Sequence, residues 1–511
     1  MKEKKLRSII ELPLIVNRPY ISDNIDKRME HARVIYNQAM AEKKRCYKQM
    51  SQTKEWRNLE QIIREELKKA ETESKNNEKK KKLSKSPRLQ EAYERKNEIM
   101  NENGFTEFGI INTVAKYAKY YNKTIPSEVA AKTIAAPLWS AWQAFFFGKG
   151  ESVYFKKQGT QNSLTSANKS GMRFIKHEDG TYTVLFTNQK AKAKPVEIMV
   201  KVPDNTYNKE MLSANIKQCR VVRRKEKTKY HYYVQLIVDR APHIKEKDGI
   251  PVHPLGKGRV GIAIWRGILC AVSDDKILVR KITYDLEQYE RKREELSRKI
   301  EHLRRVNNPD NFNEDGTIKH GLIDENGKRV RLTWHYSSNY KKLREEKREL
   351  ERKERVNRTL LHNTIVYELM EMGNEFTVMD MSFLTKKPEF DEQEPNKISN
   401  AEYRKKKQRR KAIQDGSPAE LLEKLSKKLM AAGCAAVEKQ TIPENLYWYQ
   451  HMKGVSDKAL YKGGETVTID GVKINQTLYR AFLVRRFNQN VEKLYDQASL
   501  AEDWEKLKKI L

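Results

Sequence analysis

Residues 259–281, RVGIAIWRGILCAVSDDKILVRK, hold three short apolar runs separated by turn residues, which predicts a three-stranded antiparallel meander. Two long charged stretches with helical spacing follow, DLEQYERKREELSRKIEHLRR (285–305) and NYKKLREEKRELERKERVNR (339–358). Their Glu-to-Lys spacings suit exposed helices paired as an antiparallel hairpin. EFTVMD (375–380) and AAVEKQ (435–440) then read as two further strands, each after a helix. Three strands, then helix, strand, helix, strand, demand one mixed sheet covered by helices. The first run is apolar enough to be buried, and at its centre stands Ala263.

Upstream the period changes twice. SIIELPLIVN (8–17) reads as one strand, and a helical pattern runs from about Asp23 through Met50 and past Trp56. SKNNEKKKKLSKSPR (74–88) has Leu83 as its one large apolar residue and reads as a solvated loop or helix end. Helical spacing returns from Phe105 to Phe147, where Ser127 is the expected cap. There Trp139, Trp142, Phe145 and Phe146 repeat at core-packing intervals.

Between Ser152 and Asp239 the period is two. YTVLFTN, VEIMVKVP and QCRVVRRKEKTKYHYYVQLIVD are strands, the last a hairpin tipped by KEKTK (225–229). Val221, Val234, Leu236 and Val238, or their alternates, form its predicted inner face, and Arg220, Arg223, Arg224, Lys227 and Lys229 its basic rim. Such a rim is a common nucleic-acid platform.

Charge supports that direction. The 511 residues carry 102 Lys and Arg against 69 Asp and Glu, a formal +33, which favours a polyanionic partner. No run of about 18 uncharged apolar residues exists, so no membrane span is expected, and the N-terminus lacks the features of a signal peptide. Cys46, Cys219, Cys270 and Cys434 lie far apart, as free thiols of a reducing compartment would, and their spacing excludes a zinc ribbon. GKGRVG (256–261) precedes a strand rather than opening a helix, so its match to a dinucleotide fingerprint is chance. The histidines show no paired metal-ligand spacing.

The strand and helix order from 259 onward is that of an RNase H-like domain. Such folds cleave phosphodiesters by placing carboxylates from the first strand, the fourth strand and the last helix around two divalent ions. The corresponding points here are Ala263, the Met379–Asp380 step and the start of QTLYRAFLVRRF. IPSEVAAKTIAAPLWSAWQAFF, VYFKKQGTQNS, CRVVRRKEKTKYHYYVQLIVD, GIAIW, VMDMSF and LYRAFL occur in that order over residues 10 to 490. In this the chain resembles the TnpB family of transposon-encoded RNA-guided nucleases and the type V CRISPR effectors.

The resemblance implies an α+β multidomain fold. Its parts would be the first strand of a wedge-like antiparallel β domain (1–21), a helical recognition lobe (22–150), the rest of the wedge domain (151–253) and a RuvC-like domain (254–511). The RuvC-like domain would carry an inserted hairpin (285–358), but the zinc ribbon of the family is missing, since LYWYQHMKGVSDKALYKGGETVTIDGVKI (446–474) holds no Cys. It also implies where carboxylates should stand. The family motif Gly-Ile-Asp-hydrophobic-Gly places its Asp on Ala263, the Glu of the second motif falls on Met379 beside a residual Asp380, and the third Asp falls on Thr477 or, in a shifted register, Asn475.

Ala, Met and Thr supply no anionic ligands to a Mg²⁺ site, which needs one or two carboxylates. The expectation is therefore a bacterial, nuclease-inactive, RNA-guided DNA-binding protein with no catalytic residue, metal or cofactor, cytoplasmic and nucleoid-associated. Its partners would be a guide RNA and double-stranded DNA, its output transcriptional regulation or recruitment, with a protein partner or second copy left open. Lys156, Lys157 and the run RKKKQRRK (404–411), with Arg404, Lys405, Lys406, Lys407, Arg409 and Arg410, join the hairpin rim as expected nucleic-acid contacts. Two alternatives stand beside it: an active nuclease using relocated acids among Asp274, Asp275, Asp380 and Asp470, and a transposon-derived RNA-binding protein.

Overall fold

The computed structural model describes residues 7–76, 86–147, 150–169, 171–188, 192, 194–241, 246–247, 250–265, 267–283, 286–319, 332–379, 416–440, 449–457, 465–488, 493–494 and 497–511. The chain divides into two compact units, Met1–His243 and Ile244–Leu511.

Unit 1 opens with β1 (Ser8–Pro13), whose alternation buries Ile10 and Leu12 and exposes Ile9 and Glu11. The predicted strand to Asn17 is cut short, because the chain changes partner at Leu14. β1 pairs with the hairpin strand described below, whereas Leu14 bridges Val200 and Ile15 N–H donates to Met199 O at 2.8 Å. Four helices follow: α1 (Pro19–Ser51), α2 (Lys54–Asn76), α3 (Pro87–Glu102) and α4 (Glu107–Ala118). α1 buries Ile25, Met29, Ala32, Ile35, Ala39 and Met40 along one stripe.

The aromatic-rich segment forms α5 (Ser127–Ala130), a π-helical turn (Ala131–Ala135) and α6 (Ala136–Phe146). Pro137 has no N–H to donate into the preceding turn, and that turn is the widened one. Ser127 is not the cap expected of it. Pro126 holds the cap position with no side-chain bond, and Ser127 is already the first helical residue. Trp142 is buried with Phe105 and Phe146 against it, so the cluster is core, as its spacing predicts.

β2 (Ser163–Ala167), β3 (Met172–Lys176), β4 (Tyr182–Phe186), β5 (Val196–Met199), α7 (Thr206–Leu212), β6 (Ile216–Glu226) and β7 (Lys229–Val238) complete the unit. They form sheets ordered β1-β7-β6-β2 and β3-β4-β5. Thr133 of the π-turn ties helix to sheet, its hydroxyl donating to Thr165 O at 3.1 Å and accepting from Thr165 N at 2.7 Å.

Unit 2 begins with the two-residue strands β8 (Glu246–Lys247) and β9 (Ile250–Pro251), followed by the predicted meander β10 (Arg259–Trp265), β11 (Ile268–Val272) and β12 (Ile277–Lys281). α8 (Leu286–Val306) and α9 (Ser338–Met370) pair through Arg293 and Glu354 at 2.9 Å. The sequence reading ends the second helix at Arg358. Instead α9 runs unbroken to Met370, because Ile365, Val366, Leu369 and Met370 give its last turns an apolar face for the sheet.

β13 (Glu375–Met379), α10 (Pro418–Ala431) and β14 (Glu438–Gln440) follow, then β15 (Tyr449–Gln450) with β16 (Val455–Ser456), and β17 (Thr466–Ile469) with β18 (Val472–Asn475). α11 (Gln476–Arg485), β19 (Phe487–Asn488), β20 (Lys493–Leu494) and α12 (Gln497–Lys508) end the chain. The main sheet is ordered β12-β11-β10-β13-β14, with β10, β13 and β14 mutually parallel.

Alternation along β10 decides what lies on each face. Val260, Ile262 and Ile264 pack against α9 and α10, while Ala263 packs against Leu478, Tyr479 and Phe482 of α11, with Trp504 of α12 in the same cluster. The result is a three-layer α/β/α core. Among the described residues no helix is long and apolar enough to cross a membrane.

Candidate functional site

Two of the three motif positions lie on the face of the main sheet beneath α11, and the third stands in that helix. β10 and β13 pair Gly261 with Thr377 and Ile262 with Val378, so Ala263 and Met379 come next in register and share the face of Gly261. α11 lies directly over that face, its Ala481 carbonyl above Gly261. Thr477 stands in the first turn of α11, and Asn475 caps the helix, its Oδ1 accepting from Thr477 N at 2.8 Å and Leu478 N at 3.3 Å. Ala263, Met379 and Thr477 are 0, 3 and 4 % exposed. The groups they present are a methyl, a thioether and a hydroxyl, none of which balances the charge of a hard divalent cation.

The acids considered as substitutes are engaged elsewhere. Asp274 Oδ1 accepts from buried Arg485, which also donates to Arg259 O at 3.0 Å and Ser273 O at 3.2 Å and lies 4.0 Å from buried Asp503. Asp275 accepts from Ser273 Oγ at 3.0 Å. Lys508 bonds Asp470 at 2.9 Å and holds its carboxyl below the usual carboxylate range. Asp380 lies outside the described residues. Among those described, no three His, Cys, Asp or Glu side chains gather as a metal site requires.

The basic residues of unit 1 separate into two kinds. Arg220 is half-buried, its Nε donating to Thr165 Oγ1 at 3.2 Å. Lys227 and Lys229 are exposed at the hairpin tip, Lys227 in the left-handed region at φ 52°. Arg224 is partly exposed and pairs bidentately with Glu11. Lys157 is exposed. Lys156 is half-buried over the Tyr36 ring at 4.1 Å and donates to Gln161 Oε1 at 2.8 Å, and burial lowers its ammonium pKa to about 8.

Arg223 is not on the rim at all. It points inward on the face of Cys219 and Val221, donates to Asn162 Oδ1 at 3.0 Å and pairs with Asp26 at 2.9 Å. Arg404, Lys405, Lys406, Lys407, Arg409 and Arg410 lie outside the described residues.

This separation predicts opposite outcomes for neighbouring arginines. Arg223→Ala removes charged hydrogen bonds from a buried site and should cost unit 1 about 2–3 kcal/mol. Arg224→Ala breaks an exposed pair and should cost no more than about 1 kcal/mol. Urea denaturation of the two variants measures both, and equal losses would contradict the assignment.

In VYFKKQG the sequence pattern singles out only Lys156 and Lys157. The same loop also exposes Tyr154 and Phe155, and two large rings side by side between a buried Val153 and two lysines are the signal that could have marked them.

No protein-family model matches this chain, and no curated protein matches it. Among solved structures it is similar to a Cas12f1–sgRNA–target DNA complex at 11% identity and a TM-score of 0.42, covering 93% of this chain and 97% of that one. A CRISPR-Cas12f ternary complex follows at 11% identity and TM-score 0.25, covering 91% of this chain and 81% of that one. A Cas12i–crRNA–double-stranded DNA complex, at 10% identity and TM-score 0.25, covers 84% of this chain and 56% of that one.

Proposed function

We propose that this chain is a nuclease-inactive, RNA-guided DNA-binding protein of the TnpB and type V effector kind, with unit 2 as its RuvC-like domain. The observation that carries the reading is the placement of Ala263 and Met379 on one sheet face and of Thr477 on the helix over it. In a sheet ordered third, second, first, fourth and fifth strand, Ala263 and Met379 share the face covered by α11, the helix that carries Thr477 in its first turn, where an RNase H-like nuclease gathers its carboxylates. The engagement of Asp274 by Arg485, Asp275 by Ser273 and Asp470 by Lys508 supports inactivity over a relocated site.

A formal +33 suits a long polyanion, and the exposed Lys157, Lys227 and Lys229 are assigned to phosphate contact, with the run 404–411. Base pairing by the bound RNA would select the DNA, and the protein would read a short adjacent motif. Occupancy without cutting then acts by blocking transcription or recruiting a partner, in the cytoplasm at the nucleoid.

Two measurements test this. Native protein should copurify with RNA of defined sequence, part of which is complementary to DNA bound in cells. That complex should leave matching plasmid intact in Mg²⁺ or Mn²⁺. Absence of a discrete RNA removes the guided reading, and metal-dependent cleavage abolished by Asp380→Ala removes the inactive one.

A further inference from the structure

We infer that the loop following α6 is a stacking platform for an unpaired RNA base, built from the rings of Tyr154 and Phe155. It deepens the RNA-binding part of the proposal above and rests on it.

The rings are 70 and 49 % exposed although the loop that carries them is held in place. Asn37 of α1 clamps the next residue through both backbone groups, its Oδ1 accepting from Lys156 N at 2.8 Å and its Nδ2 donating to Lys156 O at 2.9 Å. Arg33 Nη1 donates to the same carbonyl at 3.2 Å. On the other side Val153 is buried in the core. Anchored at 153 and 156, the chain presents residues 154 and 155 outward, so their exposure is imposed by the backbone.

Two large rings at consecutive positions, both exposed, leave apolar area unburied that a flat partner would cover. The charge around them selects that partner. Lys44 Nζ lies over one face of the Phe155 ring, 4.8 Å from its centroid, and Lys157, two residues on in the sequence, is exposed, so an anionic chain carrying a flat base for the other face is complementary. A DNA duplex keeps its bases stacked within the helix, whereas a structured RNA presents unpaired bases in its loops from the outset. The rings therefore suit RNA, with Lys44 and Lys157 on its phosphates.

The test uses the full chain freed of copurifying RNA, with fluorescence anisotropy of labelled U20, dT20 and a 20-base-pair DNA duplex. Tyr154→Ala and Phe155→Ala should each weaken U20 binding about tenfold to a hundredfold, the range for one base–ring stack, and leave duplex binding within about twofold. Tyr154→Phe should bind as the parent does, while Lys44→Gln and Lys157→Gln should each lower the log–log salt slope by about 0.7. Phe155→Leu, which keeps the loop apolar but removes the ring, serves if the alanine variants melt early.

Unchanged U20 affinity in stably folded ring variants overturns the platform, as does an equal loss on duplex. Loss on dT20 matching that on U20 makes the platform one for any single strand and overturns the RNA assignment. The platform and the guided reading fail separately. Ring-dependent U20 binding without any copurifying discrete RNA keeps the platform and removes the guide, whereas a discrete RNA retained by ring variants with unchanged U20 affinity does the reverse.

Discussion

Gly261→Ala should cost unit 2 about 3–5 kcal/mol, a large share of the total stability of an ordinary domain. A Cβ at 261 would lie 2.1 Å from Ala481 O, 2.6 Å from Arg485 Cβ and 2.7 Å from Arg485 N. Two of these three atoms are helix backbone, so relief requires lifting α11 from the sheet. All ten residues of α11 are buried, and lifting it also breaks the bonds from Arg485 to Arg259 O and Ser273 O. The buried Asp503, which Arg486 also bonds, would then lose the approach of Arg485 at 4.0 Å.

Gly433→Ala is the control. Its φ of +80° makes alanine strained, but nothing lies within 4 Å of the added carbon, so only about 1–2 kcal/mol is expected. Urea denaturation and limited proteolysis of residues 244–511 separate the two. A Gly261 variant as stable as the Gly433 variant would mean that α11 can move away at little cost, and the close packing invoked for the three motif positions would lose its basis.

Gly261 also marks where sequence legibility ends. The motif reading places a glycine there, but only the approach of Ala481 explains it. The meander was legible because its turns and apolar runs are short and local, and the parallel strands because each follows a helix. The Asp470–Gly471 turn between β17 and β18 was legible too, since both residues take positive φ as that dipeptide favours. Arg223 was legible in principle: it lies two residues beyond Val221, on the same strand face, and its positive charge obscured that alternation. No local signal foretells Arg485, whose partners Arg259 and Ser273 stand 226 and 212 residues away. The reach of α9 was missed for a related reason. One helix serves as hairpin arm and core layer, and its charged first half hides the apolar second.

Placing carboxylates at 263, 379 and 477 should produce a protein whose stability depends on divalent metal. Ala263→Asp alone places an acid among Leu478, Tyr479 and Phe482 at a position with no exposure. There the carboxyl either stays protonated, its pKa driven up by desolvation, or costs several kcal/mol as an unpaired charge. It should not cut, because one carboxylate does not hold two ions. Adding Met379→Glu and Thr477→Asp puts two further acids near the same face, where their mutual repulsion is relieved by a bound cation.

The triple variant should therefore melt well below the parent in EDTA and recover with Mn²⁺. A concentration a hundred times the dissociation constant returns about 2.7 kcal/mol, while the parent should not respond. The third position is tested in the same experiment. Asp in place of Asn475 keeps an oxygen for the N–H groups of Thr477 and Leu478 and should cost less than about 1 kcal/mol, whereas Asp at 477 enters a buried turn. Mn²⁺ rescue with Thr477→Asp in the triple, and none with Asn475→Asp in its place, fixes the register at 477; the opposite pattern fixes it at 475. Rescue in neither, with both variants folded, would remove the argument that these positions form an abandoned metal site. Cleavage by Ala263→Asp alone would identify an overlooked partner acid, with Asp380, the neighbour of Met379 in sequence, the first to replace with alanine.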